Sequence, residues 1–244
     1  MVRAFSSILA AALAAGFALG ACEALRPVLG LDMAALIGAA SSVLGAIVFL
    51  LPLAATGGFA PMRLAVAALL AGATALSLVL ATPSPALGPQ AVAGMALVAA
   101  LLVYLLGTLA VLLSRWAGSA PAALGWLDLV MALLAASPVW LGPALDRLGP
   151  GGAAVDALIA VNPVTHLAVV AQIDYLRGDW LYRHSPLGSM RYGYPTPATI
   201  LFGYLVACTA VSWIAWRRGG HALPSHPDAS PDRFLHVNNA EVLR

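Results

Sequence analysis

The sequence contains no lysine; all twelve of its basic residues other than histidine are arginine. A P-loop needs its lysine on the β and γ phosphates, and Schiff-base chemistry needs a lysine amine. If the chain works on ATP energy, a partner must therefore hydrolyse the ATP. Charge of either sign is scarce, at 9% of residues against roughly a quarter in soluble domains. Twelve basic and ten acidic side chains cannot coat a chain of 244 residues, so the bilayer is the solvent for most of it. A net charge of +2 with scattered arginines excludes a nucleic-acid surface.

Cysteine is nearly missing as well. Cys22 and Cys208 give neither a disulfide framework nor a metal-binding pair, and they are expected at depths too different for a bridge. The five histidines, His166, His184, His221, His226 and His236, all fall outside the long apolar stretches. That excludes an intramembrane bis-histidine haem site and an intramembrane serine protease. No HExxH motif occurs, so a non-enzymatic role is expected, with no cofactor and no metal.

What the sequence has in abundance is apolar length: 61% of residues are hydrophobic. A helix rising 1.5 Å per residue needs about 20 such residues to cross the hydrocarbon. Six stretches qualify, at residues 4–22, 34–53, 64–81, 91–113, 121–141 and 198–216. Thr56, Gly57 and Gly58 break the chain after the second, and Pro83, Pro85 and Pro89 separate the third from the fourth, since proline removes a helix donor. The expected fold is an all-α polytopic membrane protein, with a membrane domain over 1–218 and a flexible cytoplasmic tail over 219–244.

Arginine placement orients it. Arg3, Arg63, Arg115, Arg217 and Arg218 fall on one side when the spans alternate. The positive-inside rule then puts both termini in the cytoplasm. Residues 19–22, Leu-Gly-Ala-Cys, match a short lipobox-like cleavage site, but an uncleaved first span is favoured. Gly16 and Gly20 form a GxxxG, a pattern that lets a second helix approach closely.

The outer segment, 142–197, holds most of the polar chemistry. After the turn at Gly149 to Gly152, a short helix is expected over 153–161. A second is expected from Pro163 to about Arg177, with Asn162 as its N-cap and Gly178 closing it. His166, Gln172, Asp174 and Arg177 interrupt its apolar surface, so it is expected to lie in the outer interface or to dip partway in. Beyond it Trp180, Tyr182, Tyr192 and Tyr194 alternate with Arg183, His184 and Arg191. That pattern reads as an aromatic belt with arginines facing lipid phosphates. His166, Asp174, Asp179 and His184 are near in sequence, but their spacing fits no metal-ligand pattern.

The order of elements, with Val161, Asn162, Pro163, Val164 and Thr165 opening the helix that leads to Gly178, resembles the bacterial ABC-2 type permeases and their Asn-Pro-Leu-Thr stretch after the fifth span. The resemblance covers residues 120 to 218. It implies six spans, both termini inside, a translocation path capped by the outer segment at a homodimer interface, and a separate ATPase subunit docked on the cytoplasmic side. The loop between spans two and three is little more than Gly57 to Met62. So small a coupling surface also suits a second role, a non-transporting accessory or scaffold subunit of a larger membrane complex.

One carboxylate falls inside an expected span. Asp128 lies about 10 Å along span five, and an uncompensated charge at that depth costs several kcal/mol, which makes it a functional candidate; a later start of span five would instead put it near a helix N-terminus, where the dipole favours it. Hydroxyls of Ser41, Ser42 and Ser114 are its expected donors. The substrate or coupling candidates are thus Asp128, His166, Asp174 and Arg177.

Overall fold

The computed structural model of the chain describes residues 2–29, 31–55, 60–81, 87–147 and 152–219, and among them every regular element is helical. Six helices are long and apolar enough to cross a bilayer: α1 (Val2–Leu29), α2 (Leu31–Gly45) with its continuation to Ala55, α4 (Pro61–Ala81), α5 (Pro89–Ala117), α6 (Ala120–Trp140) and α11 (Pro197–Gly219). The protein is an all-α polytopic membrane protein. The shorter α3 (Leu51–Ala55), α7 (Gly142–Arg147), α8 (Ala153–Val161), α9 (Pro163–Ala171) and α10 (Asp179–His184) complete it. The tail from residue 220 on and the breaker residues 56–59 lie outside the described residues.

The expected spans are present, with boundaries that move for local reasons. The first helix passes the expected end at Cys22 and runs to Leu29. Glu23 and Arg26 do not stop it because they pair with each other at 3.7 Å on its exposed side. The second span changes to a π-turn over Ala46–Leu50, where the Leu51 N–H reaches back to the Ala46 carbonyl. Pro52 follows directly and has no N–H for the carbonyl four residues back, so the wider turn relieves its clash. At the start of α6 the Ser119 hydroxyl caps the helix, accepting from the Ala122 N–H at 3.2 Å.

The helices are held together by close backbone approach at small residues, because lipid tails remove the hydrophobic incentive for helices to associate. Ala10, Ala14, Ala18 and Cys22 are buried at every fourth position of α1. A Cβ on Gly45 would stand 2.8 Å from the Ala14 carbonyl oxygen, and one on Gly72 of α4 would stand 2.9 Å from that of Ala96 in α5. Gly16 and Gly20 lie on the other side of α1 with nothing within 4 Å of their Cβ positions. Within the chain the expected approach at that GxxxG is therefore not made. Two residues of offset turn a helix by about 200°, and α2 took the alanine face. The span containing α2 is buried along most of its length, whereas α1, α6 and α11 keep most of theirs exposed.

Both described ends of the chain lie at one end of the bundle, where Arg115 at the finish of α5 donates to the Arg218 carbonyl at 3.1 Å. The opposite end is covered by residues 141–147 and 152–196, here the cap. One expectation for the cap is corrected. The helix from Pro163 stops at Ala171, not at Arg177, with Gln172 in the left-handed region at φ 59°. The Ile173 N–H bonds the Ala168 carbonyl at 2.9 Å, a Schellman closure. A separate 3-10 turn covers Tyr175–Arg177. The cause is Asp174, whose carboxylate is drawn out of the helical path by the hydroxyls of Tyr192 at 3.0 Å and Tyr194 at 2.7 Å. The cap also contains α7, which was not anticipated, and α8 and α9 meet at 85° across Asn162.

Candidate functional site

The cap is pinned to the bundle through Asn162. Proline at 138 in α6 has no N–H, so the Leu134 carbonyl lacks its usual partner in the helix ladder. The Asn162 side-chain amide and the Ser137 hydroxyl share that place, Ser137 donating to Leu134 at 2.6 Å and the amide donating to Leu134 at 2.8 Å and to Ala135 at 3.3 Å. Its carbonyl oxygen simultaneously caps α9, accepting from the N–H groups of Val164 at 2.8 Å and Thr165 at 3.3 Å. At 1% exposure, every hydrogen-bonding position of this side chain counts. A second pin forms where the Ser185 hydroxyl donates to the Pro138 carbonyl.

With its far end held this way, α6 makes no extended contact with α2. Between the two helices lies a groove of about 350 Å³, within the range of small-molecule sites. Met33, Ile37, Ser41 and Leu44 form one wall, Asp128, Met131 and Ala135 the other, and Leu102 of α5 the back. Pro163, Val164, Tyr175 and Trp180 close it at the cap end. The residues of the Asn162–Thr165 stretch thus divide the work. Asn162 fixes the cap to α6, Pro163 and Val164 face the groove, and the buried Thr165 hydroxyl holds the Tyr175 hydroxyl at 2.9 Å. Burial pushes the Tyr175 phenol up to about 12, so it stays neutral at the groove's roof.

Among the described residues Asp128 is the one carboxylate lining the groove, and no basic side chain lines it. Among the described residues its carboxylate has no ion-pair or hydrogen-bond partner. Two of the three expected serine donors are engaged elsewhere. Ser42 donates to the Ala39 carbonyl at 2.7 Å and Ser114 to that of Val111 at 2.7 Å, each within its own helix. Ser41 alone of the three lines the groove.

The other candidates are not brought to Asp128. His166 bridges α8 and α11: one ring nitrogen donates to the Ala160 carbonyl at 2.8 Å, which leaves the other to accept from the Tyr204 hydroxyl at 2.8 Å. Burial holds this imidazole below its ordinary value, against a smaller opposing effect of the Ala160 bond. Asp174 and Arg177 form an ion pair at 3.5 Å, and the guanidinium lies 5.6 Å over the Tyr192 ring.

Tyr192 and Tyr194 are consequently a latch on Asp174, where a lipid-facing belt was expected. Burial raises both phenols first, and the Asp174 carboxylate adds to it. Trp180 stacks on His184 at 4.5 Å and lines the groove. Tyr182 and Arg191 are exposed, and exposed Arg183 lies 3.9 Å from Asp179. No group of three or more His, Cys, Asp or Glu residues converges among the described residues.

The sequence reading did not single out Met33, Met131 or Tyr175 as groove residues. A signal for the first two was their chemistry, since methionines adapt to irregular apolar ligands. What fold and groove define is a helical membrane protein with an apolar groove between two of its spans and its cap. Compared with protein-family models, curated proteins and solved structures, the chain matches none of them.

Proposed function

We propose that the chain is the membrane-embedded permease subunit of an ABC-2-like transporter in a bacterial inner membrane, moving or extracting an amphipathic or lipid-like substrate. The observation that carries the reading is the groove between α2 and α6. It is apolar and lies between two spans below the cap, a place that suits an acyl or aromatic body. In this reading the cap faces outward and roofs the path. The termini, with Arg63, Arg115, Arg217 and Arg218, face the cytoplasm, where a separate ATPase supplies the energy that a lysine-free chain has no P-loop to harvest. A second copy of the chain completes the path.

A second reading is favoured by one observation: between α5 and α6 only Gly118 and Ser119 intervene, which leaves little surface for an ATPase. In that reading the chain is a non-transporting accessory or scaffold subunit. Co-purification from native membranes separates the two. A stoichiometric ATP-hydrolysing subunit supports the permease, and a redox or photosynthetic complex without one supports the scaffold. Orientation is tested by single-cysteine labelling in a background lacking Cys22 and Cys208. A cysteine placed at Ser189 reacts with an impermeant reagent in sealed cells, and one at Ser230 does not. The reverse pattern refutes the topology.

A further inference from the structure

We propose that the groove between α2 and α6 binds a lipophilic cation, an amphiphile with an apolar body and one protonated amine, with Asp128 as its counter-ion. The inference rests on the reading of that groove as the substrate path and goes further by naming the substrate's charge. Asp128 sits in the ninth position of the 21-residue α6, about 12 Å from its start at 1.5 Å per residue. At such a depth a carboxylate needs a partner within the bundle, and among the described residues none carries the opposite charge: no arginine or histidine lines the groove, and the Ser41 hydroxyl is its only side-chain donor there besides Tyr175 and Trp180. The Tyr175 hydroxyl is already held by Thr165.

The remaining walls sort ligands by charge. An anionic amphiphile placed here meets like charge in an apolar surround, where Coulomb repulsion is screened far less than in water. A neutral one leaves the carboxylate uncompensated. An ammonium group offers three donors and the opposite charge, while its chain lies along Met33, Ile37 and Leu44 on one side and Met131 and Ala135 on the other. From Met33 to Ile47 the wall of α2 and its π-turn runs about 21 Å, so the body is a chain or ring system of that order. A metal ion is not the occupant, because one carboxylate without further converging ligands does not make a metal site.

The test uses the full chain in phosphatidylcholine nanodiscs and three photoreactive probes of equal length, each a dodecyl chain ending in a diazirine. One carries an ammonium, one a hydroxyl and one a sulfate. Labelled positions are read by peptide mass mapping. The expected result is labelling within 33–47 and 163–181 that is at least tenfold stronger for the ammonium than for the sulfate. Asp128→Asn brings the ammonium down to the level of the alcohol and leaves the alcohol unchanged, while Asp128→Glu keeps the preference. The Glu variant and the wild-type probe ratio decide the matter even if the Asn variant fails to fold. Labelling by all three probes within twofold of one another in the wild type overturns the cationic ligand and leaves the groove intact. Absence of groove labelling by any probe overturns both this inference and the permease reading beneath it.

Discussion

Asn162→Ala removes two separable things, and the structure allows each to be weighed. The first is the cap on α9, two N–H groups held by the side-chain oxygen, worth about 1 kcal/mol when asparagine becomes alanine. The second is the amide donated to the Leu134 carbonyl that Pro138 leaves without a ladder partner, worth about 0.6 to 1.7 kcal/mol by the range for side-chain bonds in membrane bundles. Together they predict a loss of about 2 kcal/mol, roughly a 30-fold shift in the folding equilibrium.

The two parts are distinguished in a Pro138→Ala background, where alanine restores the missing N–H to Leu134 and makes the asparagine amide redundant. There Asn162→Ala is expected to cost only the cap, so the cycle carries a coupling of about 1 kcal/mol. Asn162→Ser, which keeps a capping oxygen but cannot reach α6, falls between wild type and alanine. The assay is reversible unfolding in dodecyl maltoside and dodecyl sulfate mixed micelles, followed by tryptophan fluorescence. Additivity of Asn162→Ala and Pro138→Ala within about 0.3 kcal/mol refutes the account of the pin.

Tyr175 has a folded-state value raised from 10 to about 12 by burial, so the folded protein holds its proton more tightly than the unfolded chain. The associated stability is complete below pH 10 and is lost as pH rises toward 12. Tyr175→Phe should flatten the alkaline arm of an unfolding curve in that window, at the expense of the Thr165 bond, about 1 kcal/mol. An unchanged slope refutes the assignment. Gly72→Val drives a side chain into the Ala96 carbonyl and should destabilise by about 2 kcal/mol or more, as overpacking does; a wild-type midpoint in the same mixed-micelle assay contradicts the close approach of α4 and α5. Asp174→Ala frees the hydroxyls of Tyr192 and Tyr194. Amide exchange should then quicken about tenfold across 174–196 and stay unchanged in α5, and uniform exchange across the chain would show that the latch is not a local device.

The six spans were legible because apolar length is a property of the sequence itself and the bilayer enforces it. Ser119 as the cap of α6 and Asn162 as the cap of α9 follow from short-range chemistry of the same kind. Other features depended on pairings that no local pattern carries. Glu23 was taken as the end of the first span because its neutraliser, Arg26 one turn on, was not weighed. The helix through Asp174 looked continuous because the tyrosines that pull it apart lie 18 and 20 residues further along. Asp128 stood out in sequence by its depth alone. That its surroundings would be a groove, with Ser42 and Ser114 bonded within their own helices, is a consequence of how far α6 stands from α2.

That separation has a cause in the two proline-bearing stretches. In α6 the buried residues are Ala123 and Leu124 near one end and Ser137 and Pro138 at the other. From 125 to 136 no residue of the helix is buried. The helix is therefore fastened most firmly at its two ends, against α5 and through Asn162 and Ser185 at the cap, with Leu127 and Met131 only partly packed against the core between. Asp128 lies in that loosely packed stretch, facing a groove whose opposite wall ends at Ile47 in the π-turn ahead of Pro52. A helix packed along its whole length would have closed the space with methyl groups and expelled the carboxylate. Here Pro138 leaves the Leu134 carbonyl without its ladder partner, Asn162 joins Ser137 in answering it, and the attachment falls at the cap end, which leaves the middle of the span as the place where something other than this chain can pair with Asp128.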